Sequence, residues 1–144
     1  MTGVKLAQVS DSPIDRTALL ALVTRPDAGA VALFLGMVRD HDPQADGTVV
    51  ALDYTAHPSA GEVIGRLAAA VLAEVDPGHE AAVAAVHRIG RLAVGDDAFV
   101  VAVSAPHRRL AFEVCEHLVE RVKRELPIWK QQFSSDGSYR WSGL

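Results

Sequence analysis

From Arg108 to Leu126 the apolar residues Leu110, Ala111, Val114, Cys115, Leu118, Val119 and Val122 return every three or four positions, and Pro127 follows at once. That spacing predicts a helix with one apolar stripe, leaving Glu113, Glu116, Glu120 and Arg124 largely opposite it. A striped helix has to lay its apolar face on another layer, so the rest of the chain must supply one. Proline has no amide hydrogen and restricts the residue before it, so the chain is redirected just ahead of Trp129 and Lys130.

The remaining sequence alternates between two periods. Val4 to Ser10 reads as a strand, and Ser12-Pro13 then leads into a helix over Ile14 to Val23. Ala30 to Val38 and Val49 to Tyr54 are β-favouring runs. With the polar connection Asp40 to Gly47 between them, they read as a long-looped hairpin. Pro58 and Ser59 open a second helix that runs to about Val75 and is closed by Asp76-Pro77-Gly78. Ala82 to Ile89 and Ala98 to Ser104 read as another hairpin, with Gly95-Asp96 as its turn. The order β, α, β, β, α, β, β, α predicts a single α+β domain over residues 1–144, built on a mixed sheet.

Composition narrows the function classes. No apolar run approaches the length needed to span a bilayer, so no membrane insertion is expected. Met1 to Ser10 carries one Lys and no continuous apolar stretch, so it does not read as a secretory leader, and a cytoplasmic address follows. Cys115 is the only cysteine, which excludes an internal disulfide, and its apolar neighbours mark it as a packed thiol. The net charge of −4 argues against general nucleic-acid binding. It also hides an asymmetry: residues 1–106 hold 7 Lys and Arg against 13 Asp and Glu, whereas residues 107–144 hold 7 against 5.

Walker, GxGxxG, HExxH and GxSxG signatures are all absent. The six histidines lack ligand spacing, so neither a metal nor a resident cofactor is expected. Four groups remain as candidates: Phe34 to Arg39 at a strand end, His107-Arg108-Arg109 at a helix start, Lys123, and Pro127 to Lys130. Cations at a helix N-terminus oppose the macrodipole, so His107 and Arg108 are easiest to explain beside a bound anion such as phosphate. Lys123 falls at the edge of the apolar stripe, where partial burial would lower the pKa of its ammonium, but spacing alone favours a lysine whose stem covers the core while its ammonium reaches water. Lys130 beside Trp129 reads as a cation packed on an indole.

These blocks resemble the large, catalytic subunits of molybdopterin synthases. The similarity begins at Phe34-Leu35-Gly36-Met37-Val38-Arg39 and continues through Leu52-Asp53-Tyr54, then His87 to Leu92 with Val94-Gly95-Asp96. It resumes at Ser104-Ala105-Pro106-His107-Arg108 with Ala111-Phe112, then at Lys123 and Pro127-Ile128-Trp129-Lys130, and ends at Asp136-Gly137 and Trp141. Two positions depart from the family pattern. Thr55 stands where an acidic residue is common, and Gln131-Gln132 stand where a charged pair is frequent.

The resemblance implies an α/β-hammerhead fold with a mixed, largely antiparallel sheet and flanking helices. It also implies a homodimer at the centre of a heterotetramer, with a small ubiquitin-like, thiocarboxylated sulfur carrier at each end. The implied reaction turns cyclic pyranopterin monophosphate into molybdopterin. Lys123 and Lys130 would be catalytic. The substrate would be held by Met37, Val38, Arg39, Lys123, Lys130, Gln131 and Gln132, with His107 and Arg108 supplied by the dimer mate. The alternative from a different class is a non-catalytic module that uses the same cations to hold the carrier's tail.

Overall fold

The computed structural model describes residues 1–41 and 48–144. In chain order the elements are β1 (Gly3–Ser10), α1 (Arg16–Val23), β2 (Ala30–Met37), β3 (Val49–Ala56), α2 (Ala60–Val75), β4 (Ala82–Arg88), β5 (Gly90–Ala93), β6 (Asp97–Ala105), α3 (Arg108–Glu125), β7 (Ile128–Ser134) and β8 (Tyr139–Gly143). Local chemistry fixes several boundaries. The Asp15 carboxylate accepts the Ala18 amide at 3.1 Å and so caps α1. Leu126, ahead of Pro127, adopts extended angles of φ −72° and ψ 124°, which end α3.

The strands form two four-stranded sheets, ordered β1-β4-β6-β2 and β5-β3-β7-β8. Among the described residues only β1 and β4 run parallel, from Gly3 against Ala82 to Ser10 against Arg88, so the first sheet is mixed. The second is antiparallel throughout. Helices cover both faces of the first sheet, which explains why β4 and β6 are near-continuous apolar runs. Val83, Ala85, Val101 and Val103 share a cluster with Leu67 and Val71 of α2 and Leu118 and Val122 of α3. Ala82, Ala84, Val100 and Ala102 pack with Leu19 and Val23 of α1.

The expected α+β class holds, with differences in pairing. β2 and β3 are not a hairpin: β2 lies along β6 from Ala30–Ala105 to Met37–Asp97, and β3 belongs to the other sheet. A two-residue turn would have locked the two neighbours together. Their connection is much longer, and of the Asp40 to Gly47 stretch only Asp40 and His41 lie within the described residues. The buried run of β6 is the better partner for β2. β4 and β6 do pair antiparallel, with His87 opposite Phe99, but the stretch joining them is itself a strand, β5, paired with β3. The expected turn is in place, with Gly95 at φ 91° and the Asp96 carboxylate accepting the Ala93 amide at 2.9 Å.

Candidate active site

The two sheets and the C-terminal end of α3 enclose a cleft of about 330 Å³. The first sheet contributes the end of β2 with Met37, Val38 and Arg39, His87 at the end of β4, and Phe99 near the start of β6. The second sheet contributes Tyr54 from β3 and Lys130 and Gln132 from β7, and α3 contributes Lys123.

Backbone geometry aims these groups. The pairing of β2 with β6 slips between Gly36 and Met37, a bulge that redirects the strand end. Val38, 3% exposed, donates its amide to the Asp96 carbonyl at 3.0 Å and accepts the Gly95 amide at 2.8 Å. Arg39 is thereby launched from a pinned residue, while Met37 stays half exposed at the cleft. On β7, Lys130 lies opposite Tyr54 and Gln132 opposite Leu52, so alternation turns all four toward the cleft.

The same alternation corrects two sequence expectations. Gln131 is paired with Asp53 and Trp141 on the other face of β7, so of the two glutamines only Gln132 reaches the cleft. Thr55 is paired with Trp129 on that outer face, so its departure from the family pattern does not touch the cleft either. Lys123 lines the cleft and is exposed in the single chain.

His107 and Arg108 do not meet the other candidates in one chain. They sit at the start of α3, and the fifteen steps along the helix from Arg108 to Lys123 span about 22 Å. His107 is the N-cap residue, yet its side chain makes no capping bond, and the first turn of α3 carries no acid.

His87, missing from the sequence-based set of site residues, is the most buried polar group of the cleft, at 3% exposure. Its ring stacks on Phe99 at 5.4 Å and meets Tyr54 edge-on at 5.2 Å. Burial, helped by the Lys123 charge and opposed by the bond to the Arg88 carbonyl, lowers its pKa to about 4. Burial likewise pushes the Tyr54 phenol up to about 12 and the Cys115 thiol up to about 11, which leaves that thiol inert. A histidine closing the apolar run of β4 was the available sequence signal. Phe99 gave none, because an aromatic residue in a buried strand is ordinary core.

The charged side chains lining the cleft, Arg39, Lys123 and Lys130, are all cations, and among the described lining residues there is no Asp or Glu. A cleft so lined in a chain of net negative charge is built to take anions.

Residues 9–125 match the model of the MoaE protein family. The chain belongs to the MoaE protein family. Molybdopterin synthase catalytic subunit 1 of Mycobacterium tuberculosis is 39% identical over 136 residues, covering 94% of this chain and 89% of that one. The crystal structure of molybdopterin synthase from Staphylococcus aureus superposes with a TM-score of 0.81 at 30% identity, over 96% of this chain and 97% of its counterpart. A complex of subunits 1 and 2 of molybdopterin-converting factor from Helicobacter pylori shares the fold, with a TM-score of 0.68 at 19% identity, over 96% and 89% of the two chains. Arg39, His87 and Lys123 fall inside the MoaE match, whereas Lys130 and Gln132 lie beyond it on β7. Among the described residues no helix is long and apolar enough to cross a membrane.

Proposed function

We infer that the chain is the catalytic subunit of a molybdopterin synthase, transferring sulfur from a small ubiquitin-like carrier to cyclic pyranopterin monophosphate. The observation that carries this reading is the cleft between the two sheets, whose described charged side chains are all cations, in a chain of the MoaE family. Both reactants are anions, a phosphorylated pterin and a thiocarboxylate, and opposed cations would otherwise repel one another there. In the proposed cycle the thiocarboxylate sulfur forms a bond to a pterin side-chain carbon as that carbon's bond to oxygen breaks, the oxygen leaving as water or staying on the opened phosphate. Water then cleaves the acyl–sulfur bond, leaving sulfur on the pterin and a carboxylate on the carrier. A second carrier repeats the transfer to complete the dithiolene. Lys123 assists attack and acyl breakdown, while Arg39, Lys130 and Gln132 hold the pterin and its phosphate.

Residues 1–144 act in this proposal as one cytoplasmic domain, which forms the homodimer core of a heterotetramer with one carrier at each end. The distance along α3 supports site sharing, since His107 and Arg108 can complete an anion pocket only in another copy of the chain. Reconstitution with thiocarboxylated carrier and pterin precursor tests the whole reading; a folded protein that yields no dithiolene product overturns it. Site sharing has its own test. Arg108→Ala and Lys123→Ala homodimers should each be inactive, and subunit exchange between them should restore part of the activity, because one composite site becomes intact. No recovery in proven heterodimers contradicts a shared site.

A further inference from the structure

The floor of the cleft differs chemically from its charged lining. Arg39, Lys123 and Lys130 can only donate hydrogen bonds. His87 is different. Its Nδ1 lies 2.8 Å from the Arg88 carbonyl oxygen, which can only accept, so Nδ1 carries the ring hydrogen and Nε2 is left with a lone pair. The ring cannot readily turn, being stacked on Phe99 and met edge-on by Tyr54, and Phe34 extends the aromatic wall by packing at 5.9 Å against Phe99. The titratable side chains lining the same cleft are Lys123 from α3, Lys130 from β7, Tyr54 from β3, and Arg39 and His41 beyond β2. Burial, with the Lys123 charge, keeps the imidazole uncharged at neutral pH, with its pKa at about 4.

A fixed, neutral acceptor between aromatic faces suits a flat heterocycle that carries ring N–H groups, and nearby cations suit an anionic tail on the same molecule. We propose that His87 is a specificity-determining residue, whose Nε2 accepts a hydrogen bond from a ring N–H of the pterin and so orients it ring-inward with its phosphate toward the cations. The proposal rests on the pterin reading above. It explains why a strand apolar from Ala82 to Val86 carries a histidine next, and why that histidine is held in one tautomer by the Arg88 carbonyl. A heterocycle presenting only acceptors at that edge would leave two lone pairs facing each other, and is disfavoured.

The test is equilibrium binding of cyclic pyranopterin monophosphate to the purified protein at neutral pH, alongside single-turnover sulfur transfer. His87→Phe keeps a ring against Phe99 and removes the acceptor, so it should weaken precursor binding about tenfold to a hundredfold. His87→Gln returns an oxygen near the position of Nε2 and should recover most of that loss. A ring-N-methylated pterin, lacking the donor, should bind wild-type protein as weakly as the precursor binds His87→Phe; this arm stands even if the variants fold poorly. The proposal is overturned if His87→Phe binds precursor as wild type does, or if the methylated ring binds wild-type protein undiminished. It is equally overturned if His87→Phe loses turnover with binding intact, which would place His87 behind Lys123 instead. Wild-type protein that fails to bind the precursor at all removes the functional reading itself, an outcome distinct from each of these.

Discussion

Lys123→Ala is expected to slow single-turnover sulfur transfer roughly a hundredfold to a thousandfold at saturating precursor, with folding and dimerisation unchanged. Lys123 lines the cleft yet is exposed, so its removal leaves no core cavity and no buried group unpaired. Lys123→Arg separates chemistry from charge. Arginine keeps the cation, but its planar head is wider, and it does not release a proton under these conditions. It should therefore rescue little if a compact ammonium is needed at the breaking acyl bond. Lys130 occupies a different element, fixed in the second sheet opposite Tyr54, and Lys130→Ala should weaken precursor binding as well as turnover. Wild-type turnover by Lys123→Arg at saturating substrate would reduce Lys123 to an electrostatic contact.

The second large effect concerns stability against pH. His87 titrates at about 4 in the folded chain, against an ordinary value of 6.5. Above pH 6.5 both folded and unfolded chains hold it neutral, and it contributes nothing to the pH dependence. As pH falls from 6.5 to 4 the unfolded chain takes up the proton and the folded one does not, so unfolding becomes easier. The loss reaches about 3 kcal/mol by pH 4 and then levels off. Asp97, Glu125 and Asp136, whose carboxyls are held below their ordinary values, also weaken the fold in acid, so the His87 share is read as a difference. Denaturant unfolding of wild type and His87→Phe from pH 7.5 to 4.5 should show the variant losing markedly less stability. Parallel curves would mean that the imidazole is not held neutral by its surroundings.

The helical half of the fold was legible because its signals are local. α3 follows from residues three and four apart with Pro127 behind them, α2 from the run opened by Pro58-Ser59, and α1, read from Ile14 behind Ser12-Pro13, begins two residues later at Arg16, behind Asp15. Sheet membership was not legible. β5 is only four residues long and sits between two strands that do pair with each other, so its hydrogen bonds to β3 leave no sequence period. β7 and β8 escaped notice because Gln131, Tyr139 and Trp141 face outward beside polar neighbours, so neither segment shows an apolar run. The cleft followed the same division. Arg39, Lys123 and Lys130 were visible as cations near element ends, whereas Gln131 was assigned without the strand alternation that turns it away. His87 stood in plain view within an apolar strand, but its role depends on Phe99, which comes beside it only when β4 and β6 pair.

The way the chain threads its two sheets has a kinetic consequence. It passes from β2 in one sheet to β3 in the other, back to β4, out again to β5, back to β6, and out once more to β7. Neither sheet is therefore a continuous stretch of chain that could detach and re-form on its own. Subglobal opening usually follows contiguous units, and from β2 to β7 any two consecutive strands belong to different sheets. Backbone amides of β3 and β6, on opposite walls of the cleft, should accordingly exchange with deuterium through one common event, at the rate set by global unfolding. The cleft is then either whole or absent, with no partly open form in which its lining would be left facing water.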